Sequence, residues 1–345
     1  MSLRPLRLLH FVPVIGLLVA CGRPDAASIR EVPLVEVARW GAFDDSVATG
    51  GGQVANFVVD PSGEVLATDW RGHRILRYDG EGRFLGSIGR EGSGPLEFRQ
   101  PSEIAVVADT LYVRDNGNNR IVVIGPDRDL VRTITLNPPR IPTSFSVGSK
   151  GMILGATRGY PPGGLILAWG PDGNQTSTFG ELEHEATMLF DGQLVREQAL
   201  AGEVAPFLLN WGTTCTTSDE SVVLAFYAQP RAQKYSLTGT LRWDVPLSFP
   251  EYEAVRERWI ASNRTSARGE VLMFWRHVVS DRTGGCWLLL NDPERLTVYH
   301  LARDGRLTER LTSPDSPTHR IYWADGALYA LNLTTERFLR FRPDR

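Results

Sequence analysis

The run Gly63-Glu-Val-Leu-Ala-Thr-Asp69, followed by Arg74-Ile-Leu-Arg-Tyr-Asp79 and Phe84-Leu-Gly-Ser-Ile-Gly89, decides the fold because the chain repeats it. Thr110-Leu-Tyr-Val-Arg-Asp115, Arg120-Ile-Val-Val-Ile-Gly125 and Leu130-Val-Arg-Thr-Ile-Thr135 form a second copy. Short β-branched and apolar runs punctuated by Gly, Asp, Asn and Pro mark strands joined by tight turns. Fainter copies follow at Met152–Ala156 with Leu165–Trp169, and at Val222–Phe226 with Ala232–Ser236. The last two are Trp287–Asn291 with Leu296–His300, and Leu328–Asn332 with Arg337–Arg342. Taking Asp69, Asp115, Ala156, Phe226, Asn291 and Asn332 as equivalent gives spacings of 46, 41, 70, 65 and 41 residues. The short spacings fit a four-stranded blade and the long ones a blade plus an insertion.

The sixth copy ends one strand short. Leu34-Val-Glu-Val-Ala-Arg-Trp40 alternates as an outer strand does and precedes the first copy, so it is expected to complete the last blade and remove an exposed edge. The expected fold is therefore all-β: one six-bladed β-propeller over residues 33–345, with four-stranded blades, a ring closed by an N-terminal strand, and insertions at 181–208 and 248–270. A composition of 42% hydrophobic and 22% charged residues suits one large core. In the second insertion Glu251–Ile260 reads as a short helix, and in the first Glu181–Glu185 reads as an acidic loop around His184; both are expected to cap the propeller's funnel.

Residues 1–21 read as an export leader: Arg4 and Arg7, an apolar run Leu8–Val19, and a small-residue end. Leu18-Val-Ala-Cys21 resembles the bacterial lipoprotein lipobox, which implies lipidation of Cys21, a tether over 22–32, and a protein anchored by lipid in the bacterial cell envelope, at the periplasmic face or the outer membrane. Export places Cys215 and Cys286 in an oxidising compartment, where they form a disulfide if their Cα atoms lie within about 7 Å and otherwise stay buried thiols. Formal net charge is −3, and loss of the leader removes two more positive charges, so a nucleic-acid partner is not expected.

In the second copy, Gly92-Ser-Gly-Pro-Leu-Glu-Phe98, Pro101-Ser-Glu-Ile-Ala105 and Leu111-Tyr-Val-Arg-Asp-Asn-Gly-Asn-Asn-Arg-Ile121 closely resemble the NHL repeat. The first copy keeps Asp69 and His73-Arg-Ile75, so the resemblance is strong over about 52–135 and fades beyond. The whole chain resembles bacterial six-bladed propeller lipoproteins related to NHL proteins. That resemblance implies that Asp115 and Arg120 lock neighbouring turns.

Loops joining the second and third strands of a blade open on the same face as the connections between blades. Asp69, Arg71, His73, Asp115, Asn116, Asn118, Asn291 and Asn332 are thus expected on one rim, the candidate ligand-binding face. The expected function is a binding or scaffold module for a protein, peptide or glycan, with no catalytic residue and no cofactor assigned; envelope sensing is a variant of it. The rival is a metal-dependent hydrolase or lyase in the funnel. Similarity to gluconolactonase-type propellers would make the rim Asp and Asn oxygens calcium ligands, and similarity to amidating lyases would make His277 and His319 zinc ligands. The acidic position becomes Ala156 and Phe226 in the third and fourth copies, which counts against a shared metal role.

Overall fold

The computed structural model describes residues 29–42, 53–139, 142–159, 163–184, 190–314 and 317–345; the leader and Cys21 lie outside these. The first strand is β1 (Arg30–Gly41). A four-stranded sheet follows from β2 (Val54–Val59), β3 (Val65–Asp69), β4 (Arg74–Tyr78) and β5 (Phe84–Ile88). A short parallel pair, β6 (Arg90–Glu91) and β7 (Glu97–Phe98), closes the glycine-rich loop that leads to the second sheet. That sheet is β8 (Pro101–Val107), β9 (Thr110–Asp115), β10 (Arg120–Ile124) and β11 (Leu130–Ile134). The third is β12 (Ser146–Val147), β13 (Ile153–Ala156), β14 (Ile166–Trp169) and β15 (Gln175–Phe179). The fourth is β16 (Gly212–Thr217), β17 (Ser221–Phe226), β18 (Arg231–Ser236) and β19 (Leu241–Pro246). The remaining strands are β20 (Trp275–Ser280), β21 (Cys286–Leu290), β22 (Leu296–Leu301), β23 (Leu307–Ser313), β24 (Arg320–Ala324), β25 (Ala327–Asn332) and β26 (Arg337–Pro343). With β1 they form one eight-stranded sheet in the order β20-β21-β22-β23-β1-β26-β25-β24.

The arrangement is that of an all-β propeller. Strands β2, β8, β12, β16, β20 and β24 are successive neighbours around an axis, and β24 returns to β2. Second strands such as β3, β17, β21 and β25 are buried along their whole length, while the outermost strands β5, β11 and β19 are largely exposed or half-buried. A strand covered on both faces by neighbouring sheets reads as a continuous apolar run, which is why the second strands were the clearest signal in the sequence.

Buried apolar clusters fill each gap around the ring. Leu66 and Ile75 meet Ile104 and Val113; Ile121 and Val123 meet Ile153 and Trp169; Leu154 and Ile166 meet Val222 and Leu224. Val223 and Ala225 then meet Trp275 and Leu288, and Leu289 and Val298 meet Ile321 and Leu328. The last cluster brings the end of the chain onto its first sheet, with Phe338 edge-on to Phe57 at 5.4 Å and stacked on Trp40 at 5.4 Å.

Strand β1 pairs on both sides. Leu34–Gly41 runs antiparallel to β26, the placement expected of it, with an irregularity between Glu36 and Ala38. Arg30–Pro33 runs parallel to Glu309–Thr312 of β23, which the sequence reading did not foresee, so residues 30–32 belong to a sheet and not to a tether. Trp40 also reaches the first sheet: Gly82, at φ +90 in the β4–β5 turn, would place a Cβ 2.5 Å from its ring.

The two insertions fold as helices α1 (Gly192–Leu200) and α2 (Tyr252–Thr265). Helix α2 extends the expected Glu251–Ile260 stretch, and α1 lies in the first insertion beyond the stretch that the sequence analysis describes; Asp191 caps it by accepting from the Leu194 amide at 3.0 Å. The helices are joined by Arg196 donating to the Asn263 carbonyl at 3.1 Å, and Val195, Ala199, Val255 and Trp259 enter the cluster between the fourth sheet and β20–β22. Cys215 on β16 and Cys286 on β21 are free, buried thiols, and burial followed by the Cys215 neighbour pushes the Cys286 thiol well up.

Candidate functional site

The rim carboxylates are spent on bonds within their turns and to the segment that leads into the same sheet. Asp69 is fully buried and accepts from the Gln53 amide at 2.9 Å, the Gly72 amide at 2.8 Å and Arg74 Nε at 3.1 Å. Asp115 repeats the device with the Arg99 amide at 2.6 Å, Asn118 Nδ2 at 2.7 Å and Arg120 Nε at 2.9 Å. Asn332 Oδ1 accepts from the Thr334 amide at 2.8 Å and its Nδ2 donates to the Pro317 carbonyl at 2.9 Å. Asn118 also ties back to the preceding loop, donating to the Gly92 carbonyl at 2.8 Å and accepting from Ser93 Oγ at 2.8 Å. His73 Nδ1 accepts from the Gln100 amide at 3.0 Å, which links the first sheet to the second. Arg71 is exposed, and the Asn116 side-chain oxygen is buried without a partner. Asn291 accepts from the Arg276 guanidinium, so it alone of the eight bonds a side chain that lines the axis.

The histidines occupy separate environments. His277 Nδ1 accepts from the Ile321 amide at 3.3 Å, and burial, then the charge of Arg320, lowers its pKa to about 3. His319 Nδ1 accepts from the Leu333 amide at 3.2 Å; burial, then Arg276 and Arg320, lowers it too. Both rings are therefore neutral at neutral pH, with the proton on Nε2 by the hydrogen-bond geometry. His300 lies elsewhere, between Thr308 at 2.7 Å and Asp281 at 2.8 Å. Among the described residues no three His, Cys, Asp or Glu side chains stand together in a metal-binding arrangement.

The axis itself holds a cavity of about 510 Å³, a size within the range of ordinary ligand sites. All six innermost strands or the residues just before them line it, through polar groups such as Asn56, Glu103, Ser144, Thr214, Arg276 and Arg320. Asn56 Nδ2 donates to Glu103 at 2.6 Å, and Ser144 shares a 2.7 Å bond with Thr214. Tyr227 also lines the cavity; burial, and to a lesser degree Glu103, raises its pKa. No residue of α1 or α2 lines this cavity. None of these polar residues except Glu103, which falls in the Pro101–Ala105 motif, stands in a motif of the sequence analysis. Their signal was a polar residue at the head of an apolar strand, as in Val54-Ala-Asn-Phe57 and Pro101-Ser-Glu-Ile104.

No family model matches the sequence, and no curated protein matches it. The fold is shared with solved structures of low identity. A member of the DUF4221 family from Bacteroides vulgatus gives a TM-score of 0.52 at 11% identity, over 91% of this chain and 98% of that one. A catalytically inactive virginiamycin B lyase from Staphylococcus aureus, solved with quinupristin, gives 0.50 at 12% identity over 85% and 82%. At such identities the likeness is one of fold.

Proposed function

We propose that this chain is a binding module: an extracytoplasmic, lipid-anchored, six-bladed propeller that takes a protein, peptide or glycan ligand on its loop-bearing face, over the channel. The six-blade reading treats the eight-stranded sheet as two blades, β20–β23 and β24–β26 with the second half of β1, joined where β1 crosses between them. The anchor and envelope location rest on Arg4 to Cys21. The observation that carries the binding reading is the axial cavity of about 510 Å³, with polar side chains set in a partly apolar wall, in a ring whose rim turns are already internally bonded. No cofactor is assigned to it. Calcium at the rim oxygens, or zinc at His277 and His319, belongs to the rival, a metal-dependent hydrolase or lyase.

The test is a screen of the full-length protein against peptides, oligosaccharides, lactones and esters, following thermal unfolding and the fate of each compound. A compound that raises the melting temperature saturably and is recovered unaltered supports binding. Turnover of a compound by the wild type, lost on chelation or in a channel-filling Ser144→Trp variant, would overturn it in favour of the enzyme.

A further inference from the structure

Three arginines, Arg276, Arg282 and Arg320, line the channel without a salt bridge among the described residues, and two of them stand at the heads of neighbouring strands. Arg276 lies near the start of β20 and Arg320 opens β24, and these are neighbouring innermost strands. Both line the cavity. Arg276 donates to the neutral side chain of Asn291, and Arg320 to the His319 carbonyl at 3.0 Å; among the described residues neither forms a salt bridge. Their charges act on each other, since Arg320 adds to the burial that lowers the Arg276 pKa. Glu103 and Glu220 line the same cavity but bond neutral groups and neither arginine: Glu103 accepts from Asn56 at 2.6 Å, and Glu220 accepts from Ser149 at 3.1 Å. Burying like charges side by side is costly unless something negative joins them.

We propose that this end of the channel binds an oxyanion carried by the ligand, a carboxylate or a phosphate group, held between the guanidinium groups of Arg276 and Arg320. This rests on the binding reading above and names the chemistry its ligand must carry. Planar guanidinium forks match both anions, and the surrounding low-dielectric walls strengthen the attraction. His277, which lines the same cavity, keeps its proton on Nε2 because Nδ1 already accepts from Ile321, so it adds a neutral donor and no competing negative charge.

The experiment is thermal unfolding of the full-length protein titrated with inorganic phosphate and, separately, with citrate, each against sodium chloride at matched ionic strength. A saturable rise in melting temperature beyond the chloride control is expected, and the stronger of the two anions identifies the phosphate or carboxylate source. The Arg276→Gln/Arg320→Gln double variant should lose about 100-fold or more in affinity. Arg83→Gln, on an exposed hairpin far from the channel lining, should retain it. If the double variant does not fold, hydrogen exchange in the wild type decides: phosphate or citrate should slow the amides of 276–278 and 319–321. Absence of any effect beyond chloride overturns the inference. A peptide or glycan that stabilises the wild type and the double variant equally leaves the binding reading standing and overturns this one. Failure of every compound and both anions overturns the two together.

Discussion

Replacing Asp115 by alanine should unfold the second sheet's turn more than any loss of ligand would suggest. The carboxylate is fully buried and accepts three hydrogen bonds, from the Arg99 amide, Asn118 and Arg120. Its removal strands the Arg99 amide, which costs about 1–3 kcal/mol. It also leaves Arg120, only 15% exposed, without its counter-charge, although that guanidinium keeps the carbonyls of Ser93, Gly94 and Glu97. Together these predict a loss of about 3–5 kcal/mol. Asp115→Asn keeps an acceptor for the Arg99 amide and should lose about 1–2 kcal/mol. Urea unfolding followed by tryptophan fluorescence measures both, and a double-mutant cycle with Arg120→Ala should show a coupling of about 1–3 kcal/mol. An Asp115→Ala protein within about 1 kcal/mol of wild type would refute the turn-lock account. So would a wild-type transition that drops on chelation while that of the variant does not, because the oxygens would then be metal ligands.

Gly82→Ala should destabilise by roughly 2–4 kcal/mol in the same urea assay, since it combines a positive φ with a Cβ placed 2.5 Å from the Trp40 ring; an unchanged midpoint would refute it. Burial pushes the Asp281 carboxyl up, but hydrogen bonds from His300 and Thr283 outweigh this and hold it at about 2. The unfolded carboxyl titrates near 4, so this group's contribution is complete above about pH 4 and falls away by about 2 kcal/mol towards pH 2. Asp281→Asn should flatten that part of the stability–pH curve, and a curve superimposable on wild type between those pH values would count against it. The buried, raised Cys286 thiol should resist iodoacetamide in the native protein, and both Cys215 and Cys286 should take it up on denaturation without reductant. Mass spectrometry showing no uptake until a reductant is added would mean the two are bonded.

The strands were legible where a physical period survives translation into sequence. Val65–Asp69 and Thr110–Asp115 are second strands covered on both faces, so their apolar runs stand out, and the Asp–Arg pairs five residues apart mark the turns that follow. The strand at Leu34–Trp40 was legible from its alternation. Its first four residues were not, because a parallel partner at Glu309–Thr312 leaves no local pattern. Helix α1 carries its signal in Asp191 and the spacing of Leu194, Val195 and Ala199, a short apolar stripe that stands out less than the acidic run at Glu181 to His184. The channel was the hardest part. Arg276 and Arg320 lie 44 positions apart by the same count that separates His277 from Ile321, and only the ring brings them to one point. The rim residues, in contrast, were conspicuous as motifs because they build the turns.

The double pairing of β1 has a consequence for how the molecule is made. It is the first described strand to leave the ribosome, yet Glu309, the partner of Arg30, lies 279 positions further along. At about 5–20 residues per second, β1 must wait roughly a quarter of a minute to a minute for either neighbour. Through that interval its backbone is an open edge, with Val35 and Val37 uncovered even in the finished protein. Biogenesis therefore depends on keeping the longest strand of the fold unattached until the last two groups of strands arrive, and a message truncated before β26 would leave a product with an unsealed seam.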